Sequence, residues 1–241
     1  MVKAKVAAST TTTPTTARDD RTSSKRLIWP AFIPPDLPLE LTAVLPSILI
    51  IDSFLDPASI KRWHTFLPSL PFSPSPPRKR GEAYRTNDRY SKDDPDLAHN
   101  LWTRTGLKEI CQKEIASSRP AYIPMGLSSN IRVYKYGPDA EFGPHYDDDS
   151  IDSRTGWRSE WTLLVYLSGQ EDGVVGGETT FYPSPSRKGN GQELKVDLKR
   201  GRALLHKHGR DCMLHSGLKV QQGVKWVLRS DVLFGPSSAA A

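Results

Sequence analysis

Six short apolar or β-branched runs follow one another from residue 131 onward, at 131–136, 160–168, 179–182, 193–198, 202–206 and 224–234, with Gly, Pro, Asp and Ser clusters between them. Runs of that length and punctuation predict strands, and their succession predicts a double-sheet β barrel or jelly roll. The first half of the chain reads differently. Residues 47–54 (SILIIDSF) suit a buried strand, and Asp56-Pro57 supplies a cap and a first helical residue for a helix reaching about Phe66. Asp94-Pro95 opens a second helix through Trp102, and residues 107–115 continue in helical period. The fold class expected is therefore α+β, a jelly-roll (double-stranded β-helix) core backed on one sheet by N-terminal helices.

The flanks set the domain limits. Residues 1–26 hold seven Thr, three Ser and few large apolar side chains, so they cannot offset the entropy of ordering and are expected to be disordered. Residues 27–46 are Pro-rich and apolar, an extended arm laid over the domain. The domain proper is expected over 47–235, with a flexible tail at 236–241. Inside it, residues 68–89 show no apolar period and read as one long loop, a possible lid over a substrate.

Charge narrows the partners. The formal net charge is +6, but six Lys or Arg against Asp19 and Asp20 put +4 of it in residues 1–26, leaving +2 for the other 215. A fold built to neutralise phosphates carries its charge on the folded part, so nucleic acid is an unfavoured partner. The Arg78-Lys79-Arg80 run reads as a solvated loop before it reads as a nuclear address or a phosphate contact. Cys111 and Cys212 make no disulfide framework and no C-x-x-C site. No apolar h-region opens the chain and no run of about eighteen apolar residues spans a membrane, so the expectation is an intracellular protein, cytoplasmic or nuclear.

Chemistry enters at residues 136–147, YGPDAEFGPHYD. Residues two apart on an extended chain share a face, roughly 6 to 7 Å apart at Cα, so His145 and Asp147 can converge on one cation. His215 would complete two imidazoles and one carboxylate, a facial set that leaves positions open on ferrous iron. A calcium loop fits poorly, because Asp152 or Ser153 falls where its sharp turn needs Gly. His206 and His208 compete with His215 for the distal position.

In their order and spacing, Tyr136 with His145 and Asp147, the run 161–168 (WTLLVYLS), 176–183 (GGETTFYP), 199–206 (KRGRALLH), 214–217 (LHSG) and 223–229 (GVKWVLR) resemble the 2-oxoglutarate and Fe(II)-dependent dioxygenases, in their prolyl 4-hydroxylase-like branch. The resemblance spans about residues 45–234. It implies iron held by His145, Asp147 and His215, with 2-oxoglutarate and O2 as cosubstrates, succinate and CO2 as co-products and ascorbate as a possible accessory. It places Lys225 and Tyr136 on the far carboxylate of 2-oxoglutarate. Arg229 shares strand parity with Lys225 and stays a second candidate for that anchor. The same match sets His206 just past an apolar strand, where it could line the substrate mouth. Tyr84, Arg85 and Trp226 are candidate substrate contacts, and Asp148 and Asp149 sit at the rim. The expected reaction is hydroxylation of a C–H bond, that of proline in a peptide or protein. A small-molecule hydroxylase is the enzyme alternative, and a metal-free jelly-roll binding module is the alternative outside enzymes.

Overall fold

A computed structural model describes residues 27–183 and 191–237, so the tail expected at 1–26 and all but the first two residues of the one expected at 236–241 lie outside the described residues. Among the described residues fifteen strands and three α-helices follow in order. The strands of the first half are β1 (Leu41–Leu45), β2 (Ile48–Ile51), β3 (Ser73–Pro74), β4 (Asp88–Asp93), β5 (Tyr122–Leu127), β6 (Asn130–Tyr136) and β7 (Phe142–His145). The helices α1 (Pro57–Phe66), α2 (Pro95–Arg104) and α3 (Leu107–Glu114) are interspersed among them. The second half carries β8 (Arg158–Tyr166), β9 (Val175–Gly176), β10 (Thr179–Phe181), β11 (Leu194–Val196), β12 (Ala203–Lys207), β13 (His215–Gly217), β14 (Val220–Gln222) and β15 (Lys225–Pro236).

Local chemistry sets the helix starts. Asp56 accepts from the Ser59 amide at 2.9 Å with Pro57 at the first helical position, and Asp94 accepts from the Leu97 amide at 3.0 Å ahead of Pro95. Each carboxylate satisfies an orphan N–H of the first turn. Asp94 also accepts from Trp29 Nε1 at 2.8 Å and pairs with Lys92 Nζ at 2.7 Å, which ties the Pro-rich segment to the domain.

The strands form a large antiparallel sheet in the order β1-β2-β12-β8-β15-β6-β4-β3, with β5 also on β15, and a small one in the order β11-β10-β13-β7. Together they make the double-stranded β-helix. The residue alternation of the large sheet serves two cores. On one face Trp161, Leu163, Val165, Leu205 and Leu228 pack under Trp63, Leu101, Trp102 and Ile110 of the helices. On the other, Tyr134, Tyr136, Tyr166, Leu204 and Val227 meet Phe181 and Val196 of the small sheet. The chemistry lies on this second, inner face.

The long loop expected at 68–89 is not wholly irregular. It contains β3, and β4 begins at Asp88 and pairs along β6 from Asp88↔Lys135 to Asp93↔Asn130. No helix among the described residues is long and apolar enough to cross a membrane.

Candidate metal centre

His145 ends β7 and His215 begins β13, and the two are direct Cα partners across the small sheet. Asp147 lies just beyond β7, its amide donating to Cys212 Sγ at 3.3 Å and its carbonyl accepting from the Gly209 amide at 2.7 Å. Side-chain donor atoms of His145, Asp147 and His215 all fall within 4.8 Å of one another. The three residues picked out in the sequence are thus brought together.

The imidazoles are oriented by backbone. Nδ1 of His145 donates to the Gly143 carbonyl at 2.9 Å and Nδ1 of His215 to the Met213 carbonyl at 2.9 Å. A carbonyl only accepts, so the tautomer is fixed and Nε2 is what each ring offers inward. Those atoms stand 3.7 and 3.6 Å from the Asp147 oxygens. Lone pairs facing a carboxylate repel it unless a cation lies between them, so the donor set fits a bound metal ion. Burial and the neighbouring His215 hold His145 down at about 4. Burial opposes charge on His215 too, but Asp147 and Cys212 outweigh it and lift that ring to about 9.

His206 corrects the sequence reading. It lies within β12 and shares the parity of Leu204, so it points into the barrel rather than lining the mouth, and it is 1% exposed. Its Nδ1 donates to the Lys207 carbonyl at 3.2 Å, and its Nε2 faces Asp147 Oδ2 at 3.7 Å with no hydrogen-bond partner. A second set of donors within 4.8 Å joins His206, Cys212 and His215. His208, the other competitor, is a support: its Nδ1 donates to Thr162 Oγ1 at 2.9 Å, and that hydroxyl donates to Asp147 Oδ2 at 3.0 Å.

Arg229 Nη1 meets Asp147 Oδ1 at 3.0 Å and Nη2 lies 3.6 Å from Asp231 Oδ1. Burial would raise the Asp147 carboxyl, yet Arg229 holds it well below the usual carboxylate range. Two carboxylates therefore occupy Arg229 already. Four residues deeper on β15, Lys225 is 3% exposed and hydrogen-bonds only the Gly177 carbonyl, at 2.6 Å. No carboxylate is within ion-pair distance of it among the described residues, and burial lowers it to about 8 against the field of Glu178. A Cβ on Gly177 would stand 3.3 Å from Lys225 Cδ, and its φ of +77° favours glycine. Lys225 is the Cα partner of Tyr136, and its Nζ lies 5.0 Å from the centre of that buried ring. An unpaired cation and a phenol at the bottom of a dry barrel fit the distal carboxylate of a diacid.

Outside the metal position a cavity of about 790 Å³ opens toward solvent, lined by Arg85, His145, Asp147, Asp148 and Arg229 among others. Arg85 lies 4.4 Å over the Phe142 ring and pairs in backbone with that residue. Tyr84, half exposed, stands beside it without lining the cavity. Trp226 departs from expectation. One residue on from Lys225, it turns to the opposite sheet face, where it packs on Phe72 at 5.3 Å between centroids. Asp149 pairs with Arg158 away from the metal position.

This geometry defines a class, the jelly-roll proteins with a facial set of two histidines and one aspartate. Residues 131–230 match the family model of the 2OG-Fe(II) oxygenase superfamily, a stretch that holds His145, Asp147, His215 and Lys225. Prolyl 4-hydroxylase 5 of Arabidopsis thaliana is 30% identical over 138 residues, 54% of this chain and 41% of its own length. The chain spans less than half the length of the curated relatives it matches. Among solved structures, the viral collagen prolyl hydroxylase of Paramecium Bursaria Chlorella virus-1 in its 2OG complex aligns with TM-score 0.51 at 20% identity, over 78% of this chain and 96% of that one. A Trichoplax adhaerens prolyl hydroxylase in complex with a hypoxia inducible factor peptide fragment aligns with TM-score 0.51 at 17% identity, over 78% and 84%. At those identities the likeness speaks for the fold.

Proposed function

We propose that the chain is an Fe(II)- and 2-oxoglutarate-dependent dioxygenase that hydroxylates proline in a peptide or protein. The observation that carries the reading is the joint presence of inward-facing imidazoles around Asp147 and an unpaired lysine at the barrel bottom. His145, Asp147 and His215 would hold the metal, with Arg229 and Thr162 orienting the carboxylate. Lys225 and Tyr136 would bind the far carboxylate of 2-oxoglutarate. Bound iron(II) with that cosubstrate supplies O2 activation and C–H hydroxylation, with succinate and CO2 as co-products and ascorbate as a reductant of the metal. Phe181, which packs on His206 and His215 at 5.3 and 5.5 Å between centroids, keeps water off the inner side of the centre. The prolyl hydroxylases among the relatives and the breadth of the open cavity favour a peptide over a free amino acid. Two free cysteines suit a reduced intracellular compartment.

The test is anaerobic addition of Fe(II) and then 2-oxoglutarate, watching for the visible metal-to-ligand charge-transfer band. The band should vanish in His215→Ala and should need about tenfold or more 2-oxoglutarate in Lys225→Ala. Succinate release with a Pro-containing peptide but not with free proline then fixes the substrate class. Absence of the band in the unmodified chain would overturn the assignment.

A further inference from the structure

The wall of the outer cavity carries five arginines, Arg78, Arg85, Arg89, Arg132 and Arg229, against Glu82, Asp147 and Asp148. Two of them are neutralised within the fold, since Arg132 and Arg229 share Asp231 and Arg229 also takes Asp147. The other three have no carboxylate within ion-pair distance among the described residues. Arg85 Nε donates to the neutral Asn87 Oδ1 at 2.8 Å, and its buried Nη2 has no hydrogen-bond partner among the described residues. Glu82 is engaged elsewhere, accepting from the Lys79 amide at 3.0 Å.

Strand register shows that this is a built wall. Arg89, Tyr134 and Val227 form one row across β4, β6 and β15, and Ser91, Arg132 and Arg229 form the next toward the rim. On the outer face of the same strands Lys135 has Asp88 at 3.8 Å. On these strands Arg89 is thus turned to the face that looks on the metal position. Buried Tyr134 lies against the same wall: burial would raise its phenol, but the arginines Arg229, Arg132 and Arg85 pull it down.

Resting on the oxygenase reading of this site, we infer that the peptide presented to it carries aspartate or glutamate within a few residues of the reacting proline, held by Arg78, Arg85 and Arg89. The guanidinium fork matches a carboxylate in a bidentate pair, and exposed aromatic Tyr146 flanks the same opening. A continuous polyanion fits less well. Asp148 and Glu82 interrupt the wall, and the chain beyond residue 26 carries only +2.

The experiment uses the full chain loaded anaerobically with Fe(II) and 2-oxoglutarate. Two labelled peptides of equal length, one with Asp and Glu around a central Pro and one with Asn and Gln, are titrated by fluorescence anisotropy. The acidic peptide should bind about tenfold tighter or more at low salt, and the gap should close toward about 0.5 M NaCl. Arg78→Gln with Arg89→Gln should shrink the gap several-fold while keeping the charge-transfer band. Equal binding of the two peptides, no binding of either, or a preference unchanged in the double variant would overturn the inference. Displacement of the acidic peptide by a single-stranded oligonucleotide at equal concentration would overturn the peptide assignment. Because the band is recorded on the same samples, its absence marks failure of the oxygenase reading, and its presence without a charge preference marks failure of this inference alone.

Discussion

Arg229 and Asp147 are both buried and joined at 3.0 Å, so each depends on the other. Removing the guanidinium leaves a buried carboxylate unpaired, which costs on the order of 3 kcal/mol. Arg229→Leu should therefore lower unfolding free energy by about that amount in metal-free protein, and excess Fe(II) should restore much of it, because a bound cation replaces the lost charge. Denaturant titrations with and without metal check this. Lys225 makes a different prediction. It binds a carboxylate only when protonated, and burial brings its titration down to about 8. Affinity for 2-oxoglutarate should be level below that pH and fall about tenfold per unit above it, which the charge-transfer band reads directly. His206→Leu should retain stoichiometric iron where His215→Ala does not, as atomic absorption after gel filtration would show.

At the scale of elements, Asp94 closes the first turn of α2 and holds Trp29 and Lys92 as well. Asp94→Ala should cost about 1 to 2 kcal/mol, read as a lower midpoint in urea, with the charge-transfer band unchanged. Both capped helices were legible in the sequence because Asp-Pro speaks for itself. The inner strands were legible where their outer residues are apolar, as in β8 and β12. β4 was not, and its register explains why: DRYSKD meets charge on both faces, an ion pair with Lys135 outside and the arginine wall inside, so no apolar period survives. His206 was misplaced for a related reason. The family match set it just past the apolar stretch, whereas the strand and its alternation run through Lys207. β7 contains Gly and Pro and looks unlike a strand, yet its chemistry was readable from the spacing of His145 and Asp147 alone.

On the scale of the whole molecule, the segment before β1 closes the helix-side core. Trp29 packs within 5.9 Å of Trp63 and 5.3 Å of Phe66 between ring centroids. Trp29→Ala should lower stability by about 2 to 3 kcal/mol and leave the 2-oxoglutarate requirement of the band unaltered, since the two cores meet only through the sheet. That separation gives the large sheet an unusual economy of change. Every second letter of β6, β8, β12 and β15 answers to the helices and the letters between answer to the barrel interior. New substrate preferences could accumulate at alternate positions of a strand without passing through unfolded ancestors, and an engineer could randomise positions 132, 134 and 227 while leaving 131, 133 and 228 as the fixed frame.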